Sequence, residues 1–558
     1  MSDNAPESRQ IPNHREGFAI PAPEYYNFAY DYIDKVAQSD RNKQALLWVS
    51  ESGEERRYTF YDMSVLSNQA ANLLLRHGIG KGDTVMLMLP RVPEWWIFSL
   101  ALIKLGAVQC PSPCLLTSDD LRHRMGIGKF KMVITNQSNA PKIDAVFDEF
   151  PFLRERVLID GERAGWIDYQ AEINSRVPPS RHSVLTQTRV RTLATDPLLM
   201  IFTSGTKSPK LVLHNCVYPL AHMITAKMWQ GLTANDLHYV ITDTGWGKHL
   251  WSNYFGQWLC GACLFVYDFR GKFNAENVLL LLQKYGITSF CAPPTAYRMI
   301  VLDDLKSFDL SELKHCTAAG EPLHPETVRL WREGTGLTIH EGYGQTETPC
   351  MIGCFRHDKV KAGSMGKASP YWDIRLLDDD GNEVKTGEEG RIAVKLDPPP
   401  PGLLVEYVNN PEANAECFHD GYYFTGDKAR KDEDGYFWFI GRVDDIIKSS
   451  GYRIGPAEVE DALLKHPAVV EAAVIGVPDV LRGTRVKAYI VLNPGFEPTE
   501  SLVKDIQNHA KRVTAPYKYP REIEFVEELP KTFAGKVKRD VLRKHSATGE
   551  MWKIDHHA

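Results

Sequence analysis

Thr84-Val-Met-Leu-Met-Leu89 is an unbroken apolar run ended by Pro90. An apolar helical stretch, Pro93 to Leu105, follows it, and Ala107-Val108 opens a second strand. Strand, helix and strand in so short a span are the signature of a parallel sheet covered by helices. Just upstream, Thr59 and Asp62 stand at capping-box spacing before the apolar positions Leu66, Ala70, Leu73 and Leu74, with Gly78 as the stop. Downstream, strands are expected at Leu198–Phe202, Tyr239–Ile241, Ile287–Cys291 and Leu313–Cys316, each followed by a turn or Gly-rich loop. No internal repeat is present.

Texture changes beyond about residue 370. Asp380-Gly381, Asp420-Gly421 and Asp434-Gly435 punctuate short strands, so a β-rich subdomain over about 370–443 is expected. After Arg442, Pro456 suits the first turn of a helix through Leu464. Strands near Val469–Val474 and Val486–Leu492, a helix over Leu502–Arg512 and a strand at Ile523–Val526 follow. The expected organisation is an α/β chain in three parts. An extended arm over 1–30 leads into a large body over 31–443, and a small, mobile α+β domain takes 444–558.

The chain has 558 residues, 43% of them hydrophobic and 24% charged, which excludes a disordered, collagen-like or coiled-coil protein. A formal charge of −6 gives no bulk basicity for nucleic acid. Ten cysteines at irregular spacing read as buried thiols in a reducing compartment, not as a disulfide scaffold. The polar start Met1-Ser2-Asp3-Asn4 lacks a following signal-peptide core, and the apolar helix carrying Lys104 is too short for a membrane span. A soluble cytoplasmic protein is expected.

Four segments carry chemistry. Phe202-Thr-Ser-Gly-Thr-Lys-Ser-Pro-Lys210 follows a strand and offers N–H groups and hydroxyls to phosphate, with charge from Lys207 and Lys210; it is not a Walker A loop. In Glu341-Gly-Tyr-Gly-Gln-Thr-Glu347, Gly342 and Gly344 let a flat ring or phosphate approach the backbone, and Thr346 and Glu347 supply hard oxygens suited to Mg²⁺. Tyr423-Phe-Thr-Gly-Asp427 places a carboxylate after a tight turn, where it can accept ribose hydroxyls. Gly441-Arg-Val-Asp444-Asp suits a hinge. Pro530 to Asp540 is a basic loop carrying Lys536.

In this order and spacing the segments resemble the adenylate-forming superfamily of acyl-CoA synthetases, firefly luciferase and peptide-synthetase adenylation domains. Ser450-Gly-Tyr-Arg-Ile-Gly-Pro456 and Thr514-Ala-Pro-Tyr-Lys-Tyr-Pro520 look most like the medium-chain acyl-CoA synthetase branch. One departure stands out: Thr203 to Lys210 is a residue shorter than the family's usual loop, with Lys207-Ser208 where a second glycine is expected.

The resemblance implies an ATP-dependent acid–CoA ligase that forms acyl-AMP and then acyl-CoA, with ATP, Mg²⁺ and coenzyme A as its small molecules. Delivery to a carrier protein, or a nonenzymatic acyl- or nucleotide-binding role, is the alternative. For ATP the implied residues are Thr203, Ser204, Gly205, Thr206, Lys207 and Lys210 at the pyrophosphate. Gly320, Glu321, Pro322, Glu341, Gly342 and Tyr343 would lie at the adenine, with Gly344 and Gln345 beside them. Asp427 and Arg442 would hold the ribose, Thr346 the α-phosphate, Glu347 the metal, and Lys536 the reacting carboxylate and α-phosphate. Asp444 matches the family hinge. Ser450, Gly451, Tyr452, Arg482 and Lys511 are implied for CoA, and Trp246, Gly363, Gly366 and Arg453 for the acid. Lys248 departs from an apolar continuation, and it either points away or meets a polar group on the acid. A medium-chain, branched or aromatic acid is expected, with no nucleic-acid partner and with monomer and homodimer both open. Cys260-Gly-Ala-Cys263 has redox spacing but core flanks, and Cys110/Cys114 and Cys350/Cys354 lack histidine partners.

Overall fold

The computed structural model describes residues 20, 23–174, 189–203, 209–271, 273–449, 452–479, 483–515, 518–532 and 535–552; Asn174, Lys448 and Arg453 are described by their backbone only. Two large sheets form the body. Thr84–Met88 lies parallel to Val108–Pro111 in an eight-stranded sheet, with the helix Pro93–Leu105 as the crossover. The expected capping box is formed at Thr59, whose side chain accepts from the Asp62 amide, and it opens the helix Phe60–Arg76. One apolar core joins Leu46 and Trp48 of the second sheet to Val85 and Leu87 of the first through these two helices.

Lys104 shows how a cation survives in the apolar helix. Its ammonium, wholly buried, donates to Asp34 Oδ1 at 2.9 Å, to the Ser64 carbonyl at 3.1 Å and to Asn68 Oδ1 at 2.7 Å. All three donors are matched, which is the condition for burying a charge. Gly106 then ends the helix at φ +66°, a left-handed cap open to glycine at little cost.

Leu237–Val240, Cys263–Asp268, Ser289–Ala292, His315–Ala319 and Ile339–Tyr343 run parallel in the second sheet. The Asp-Gly-rich region extends that same sheet. Ile352–Gly353 pairs antiparallel with Tyr343 and Gly342, Gly366–Ala368 pairs with it, and Tyr436–Arg442 follows in turn. The region reads as separate in sequence because its strands are short and turn-linked. Backbone pairing nevertheless makes it the edge of the sheet that carries Tyr343, and so brings Tyr422–Lys431 beside the end of that strand.

Most of the expected arm lies outside the described residues; within it Ile20 and Phe28 are buried, and Phe28 packs edge-on to Tyr254 and Phe255. The C-terminal part has its own sheet of Val469–Asp479, Gly483–Leu492 and Glu522–Phe525. Alternate residues face opposite sides. Val474 and Ile490 meet the helices Pro456–Leu464 and Glu500–Val513, while Ile475 and Tyr489 meet Arg539–Thr548. The first strand outruns its expected end at Val474 because its partner continues to Gly483. Among the described residues no helix is long and apolar enough to cross a membrane.

Candidate active site

The Thr203–Lys210 segment is the turn of a hairpin. Pro197–Phe202 and Leu211–Asn215 pair antiparallel up to Phe202 and Leu211. Thr203 N donates to the Lys210 carbonyl at 2.9 Å, and Lys210 N donates to Thr203 Oγ1 at 3.1 Å, closing the loop at its mouth. The expected phosphate contacts at Ser204, Gly205, Thr206 and Lys207 lie outside the described residues, as do Ser450, Gly451, Arg482 and the side chain of Arg453.

Tyr343 ends a strand, and Gln345, Thr346 and Glu347 follow in a loop. The Tyr343 hydroxyl donates to Asp427 Oδ2 at 2.6 Å and Gln345 Nε2 donates to the same oxygen at 2.8 Å. Tyr423 in turn holds Gln345 Oε1 at 3.0 Å. Arg442 Nη1 lies 3.5 Å from Asp427 Oδ1, and Arg442 Nε lies 3.4 Å from Asp444 Oδ1. Burial raises the pKa of Asp427, while Arg442, Tyr343 and the Lys536 charge act against it.

Glu347 is buried and its pKa is raised by that burial, opposed by the hydroxyl of Tyr407, which donates to Oε1 at 2.7 Å. Among the described residues no three His, Cys, Asp or Glu side chains gather into a metal cage. The single hard carboxylate of Glu347 nonetheless fits Mg²⁺, which commonly takes one or two carboxylates and completes its shell with substrate phosphates and water.

His214 lies on the strand after the phosphate loop, wholly buried, and its Nε2 donates to the Thr346 carbonyl at 2.8 Å. Its ring stacks on Tyr218 at 3.8 Å, and burial lowers its pKa to about 4, so it is neutral at pH 7. Neither His214 nor Tyr407 carries a local sequence signal; each matters through a partner more than 50 residues away in the chain.

Gly320 takes φ +109°, and a Cβ there would meet nothing within 4 Å, leaving an open face at the end of His315–Ala319. Glu321 beside it accepts from Thr295 Oγ1 at 2.5 Å and pairs with Arg298 at 3.5 Å; Pro322 is exposed. Glu341 is buried, which pushes its carboxyl well above the usual range. Gly342 and Gly344 back onto Trp229 and Trp251.

The Lys536 loop reaches this cluster from the C-terminal part. A Cβ on Gly535 would lie 3.8 Å from both Glu321 Oε1 and Thr295 Oγ1, and the charge of Lys536 acts on Glu347 and Asp427 alike. His324 Nδ1 and Asp461 Oδ1, 2.7 Å apart, bridge the same two parts.

Trp246 is half-buried and precedes the short helix Gly247–Ser252, where a Cβ on Gly247 would lie 3.3 Å from Thr346 Oγ1. Lys248 turns inward, donating to the Ala319 carbonyl at 3.2 Å, and burial lowers its pKa. Gly363 instead has Pro325 and Trp438 as its nearest neighbours, and Gly366 has the Gly353–Cys354 backbone, so strand packing accounts for their small size. Tyr452 is half exposed, and the Lys511 ammonium sits 4.2 Å from the Tyr519 ring. All ten cysteines are free thiols; burial pushes Cys260 and Cys263 up to about 12, as the core reading expects.

A hairpin loop closed at Thr203 and Lys210, two tyrosine-held carboxylates and a loop from the C-terminal part lie at the ends of neighbouring strands. The chain belongs to the AMP-binding enzyme family, which matches residues 33–397, and the AMP-binding enzyme C-terminal domain matches residues 458–536. It is similar to the acyl-coenzyme A synthetase ACSM3, mitochondrial, of Mus musculus, with 42% identity over 95% of this chain and 92% of that protein. ACSM5, mitochondrial, of Rattus norvegicus is 43% identical over 94% of this chain and 91% of its own length. Among solved structures, an anthranilate CoA ligase, AuaEII, in complex with anthranoyl-AMP superposes with a TM-score of 0.85 at 31% identity, covering 95% of this chain and 99% of that one. A Brucella canis acyl-CoA synthetase gives 0.71 at 34% identity, covering 94% and 95%.

Proposed function

We propose that this chain, an AMP-forming acid–CoA ligase using ATP, Mg²⁺ and CoA, activates a medium-length, branched or aromatic carboxylic acid. The observation that carries the reading is the approach of the Lys536 loop, at Gly535, to Glu321 and Thr295. Its place among medium-chain relatives favours CoA, rather than a carrier protein or a nonenzymatic role, as the end of the reaction.

A carboxylate resists thiol attack because it is anionic and lacks a leaving group. Attack on the α-phosphate of ATP gives acyl-AMP and pyrophosphate, and the CoA thiol then displaces AMP. Positioning and electrostatics dominate such a reaction. Thr203 to Lys210 would hold the leaving pyrophosphate. Glu347 would hold Mg²⁺, which when bound neutralises polyphosphate charge. Gly320 to Pro322 and Glu341 to Tyr343 would line the adenine, with Gly344 and Gln345 completing that wall. Asp427, oriented by Tyr343 and Gln345, would take the ribose hydroxyls together with Arg442. Thr346 would bond the α-phosphate. Lys536 would bridge the carboxylate and α-phosphate, a place suited to a compact ammonium.

The present arrangement, with the Lys536 loop beside Glu321 and Thr295, would suit adenylation. CoA must enter by another face, so residues 444–558 would rotate against 31–443 about Asp444. Tyr452 and Lys511, with Ser450, Gly451 and Arg482, would then meet CoA. Trp246 would border the acyl chain, with Lys248 below it; Arg453, Gly363 and Gly366 are weaker candidates there. Ten free thiols suit a reducing compartment. The cytoplasm is our reading, and the named relatives are mitochondrial proteins.

The test is ATP–pyrophosphate exchange over an acid panel, with CoA ligation measured alongside. Each buried methylene contributes about 0.8 kcal/mol. Efficiency should therefore rise with chain length and fall where the pocket ends, between about four and ten carbons on that scale. Trp246→Ala should move the optimum to longer acids. Acetate or palmitate as the best substrate would overturn the acid class.

A further inference from the structure

Tyr407 touches both halves of the phosphate-facing machinery. It lies on the short strand Glu406–Tyr407, which pairs with Val212 and Leu213 directly after the phosphate loop. Its backbone is clamped twice by Asn414: Tyr407 N donates to Oδ1 at 2.7 Å, and Nδ2 donates to the Tyr407 carbonyl at 2.9 Å. The side chain is 5% exposed. Its hydroxyl donates to Glu347 Oε1 at 2.7 Å, and the Lys210 ammonium stands 4.8 Å from its ring centroid. The main chain at Glu347 is held from the same segment, since Leu404 N donates to its carbonyl at 2.8 Å.

We infer that Tyr407 is a positioning residue that sets the Glu347 carboxylate for the divalent cation and couples it to Lys210 at the mouth of the phosphate loop. This rests on the reading in which Glu347 carries Mg²⁺. A phenol was not needed to fill the space, because phenylalanine has the same ring. What the hydroxyl adds is a buried donor matched to Oε1, which fixes the plane in which Oε2 lies. Partners that orient a metal-binding carboxylate commonly change metal affinity by about 10- to 100-fold when removed. The ring keeps Lys210 on the same side of the site as that carboxylate through a cation–π contact.

The experiment measures, by titration calorimetry on the full chain, how much Mn²⁺ tightens binding of α,β-methylene-ATP relative to binding in EDTA. Tyr407→Phe should cut that metal-dependent gain about tenfold, with metal-free affinity unchanged and Tm lowered only as one lost buried hydrogen bond requires, and should add nothing in a Glu347→Ala background. A purely structural tyrosine would instead weaken both affinities equally, which would overturn the inference. If Tyr407→Phe keeps the full gain while Glu347→Ala abolishes it, Tyr407 has no positioning role and the Glu347 reading stands. If Glu347→Ala keeps the gain, the metal reading itself falls, and the inference with it.

Discussion

His214→Phe isolates one buried hydrogen bond and one titrating group behind the Thr346 loop. Phenylalanine keeps an aromatic ring against Tyr218, which now lies 3.8 Å from the imidazole. It removes the donor that reaches the Thr346 carbonyl at 2.8 Å. Leaving that carbonyl without its partner costs about 1–3 kcal/mol at pH 7. The imidazole itself titrates near 6.5 in an unfolded chain but at about 4 in the fold, because burial disfavours its charged form. Its contribution to stability is therefore complete above the unfolded value and is lost as pH falls from about 6.5 toward 4. Between pH 7 and pH 5 the wild type loses about 2 kcal/mol through this one group, and the variant does not. The destabilisation caused by His214→Phe should accordingly shrink by that amount at pH 5. Urea unfolding followed by tryptophan fluorescence at pH 7, 6 and 5 measures it. Comparing the two chains cancels the other buried groups, including the raised carboxyls of Glu341, Glu347 and Asp427, which act in the opposite sense. A difference between the chains that stays constant with pH would refute a neutral, buried His214.

Lys536→Ala should abolish pyrophosphate exchange while sparing thioester formation from supplied acyl-AMP; equal loss of both steps would count against a role confined to the first. Asp444→Pro should fix φ at the hinge, leaving pyrophosphate exchange and removing CoA ligation, whereas normal rates in both would end the two-orientation reading. His324→Ala breaks the bridge to Asp461 that holds the present orientation. A partly exposed pair of this kind contributes up to about 1 kcal/mol, so adenylation should fall by up to about fivefold while thioester formation is undiminished, both read by separate half-reaction assays.

Much of the local structure was legible in the chain itself. Thr59 and Asp62 announced a helix start because a capping box is satisfied within one turn. The helix Pro93–Leu105 was readable from its apolar run, which the structure shows closed by Gly106 in a left-handed cap. Pro456 marked the first turn of a helix in the last part. The site motifs were also visible, because each keeps its chemistry within a few residues of sequence. Tertiary structure decided what depends on distant partners. It joined the Asp-Gly-rich strands to the sheet of Tyr343, so that Asp427 accepts from that phenol 84 residues away. It matched the three donors of Lys104, a cation that sequence could only count against a membrane span. Tyr407 and His214 found their roles the same way, through bonds spanning 60 and 132 residues. Such contacts leave no periodicity in the chain, since the geometry that pairs the two groups arises only when the sheets close.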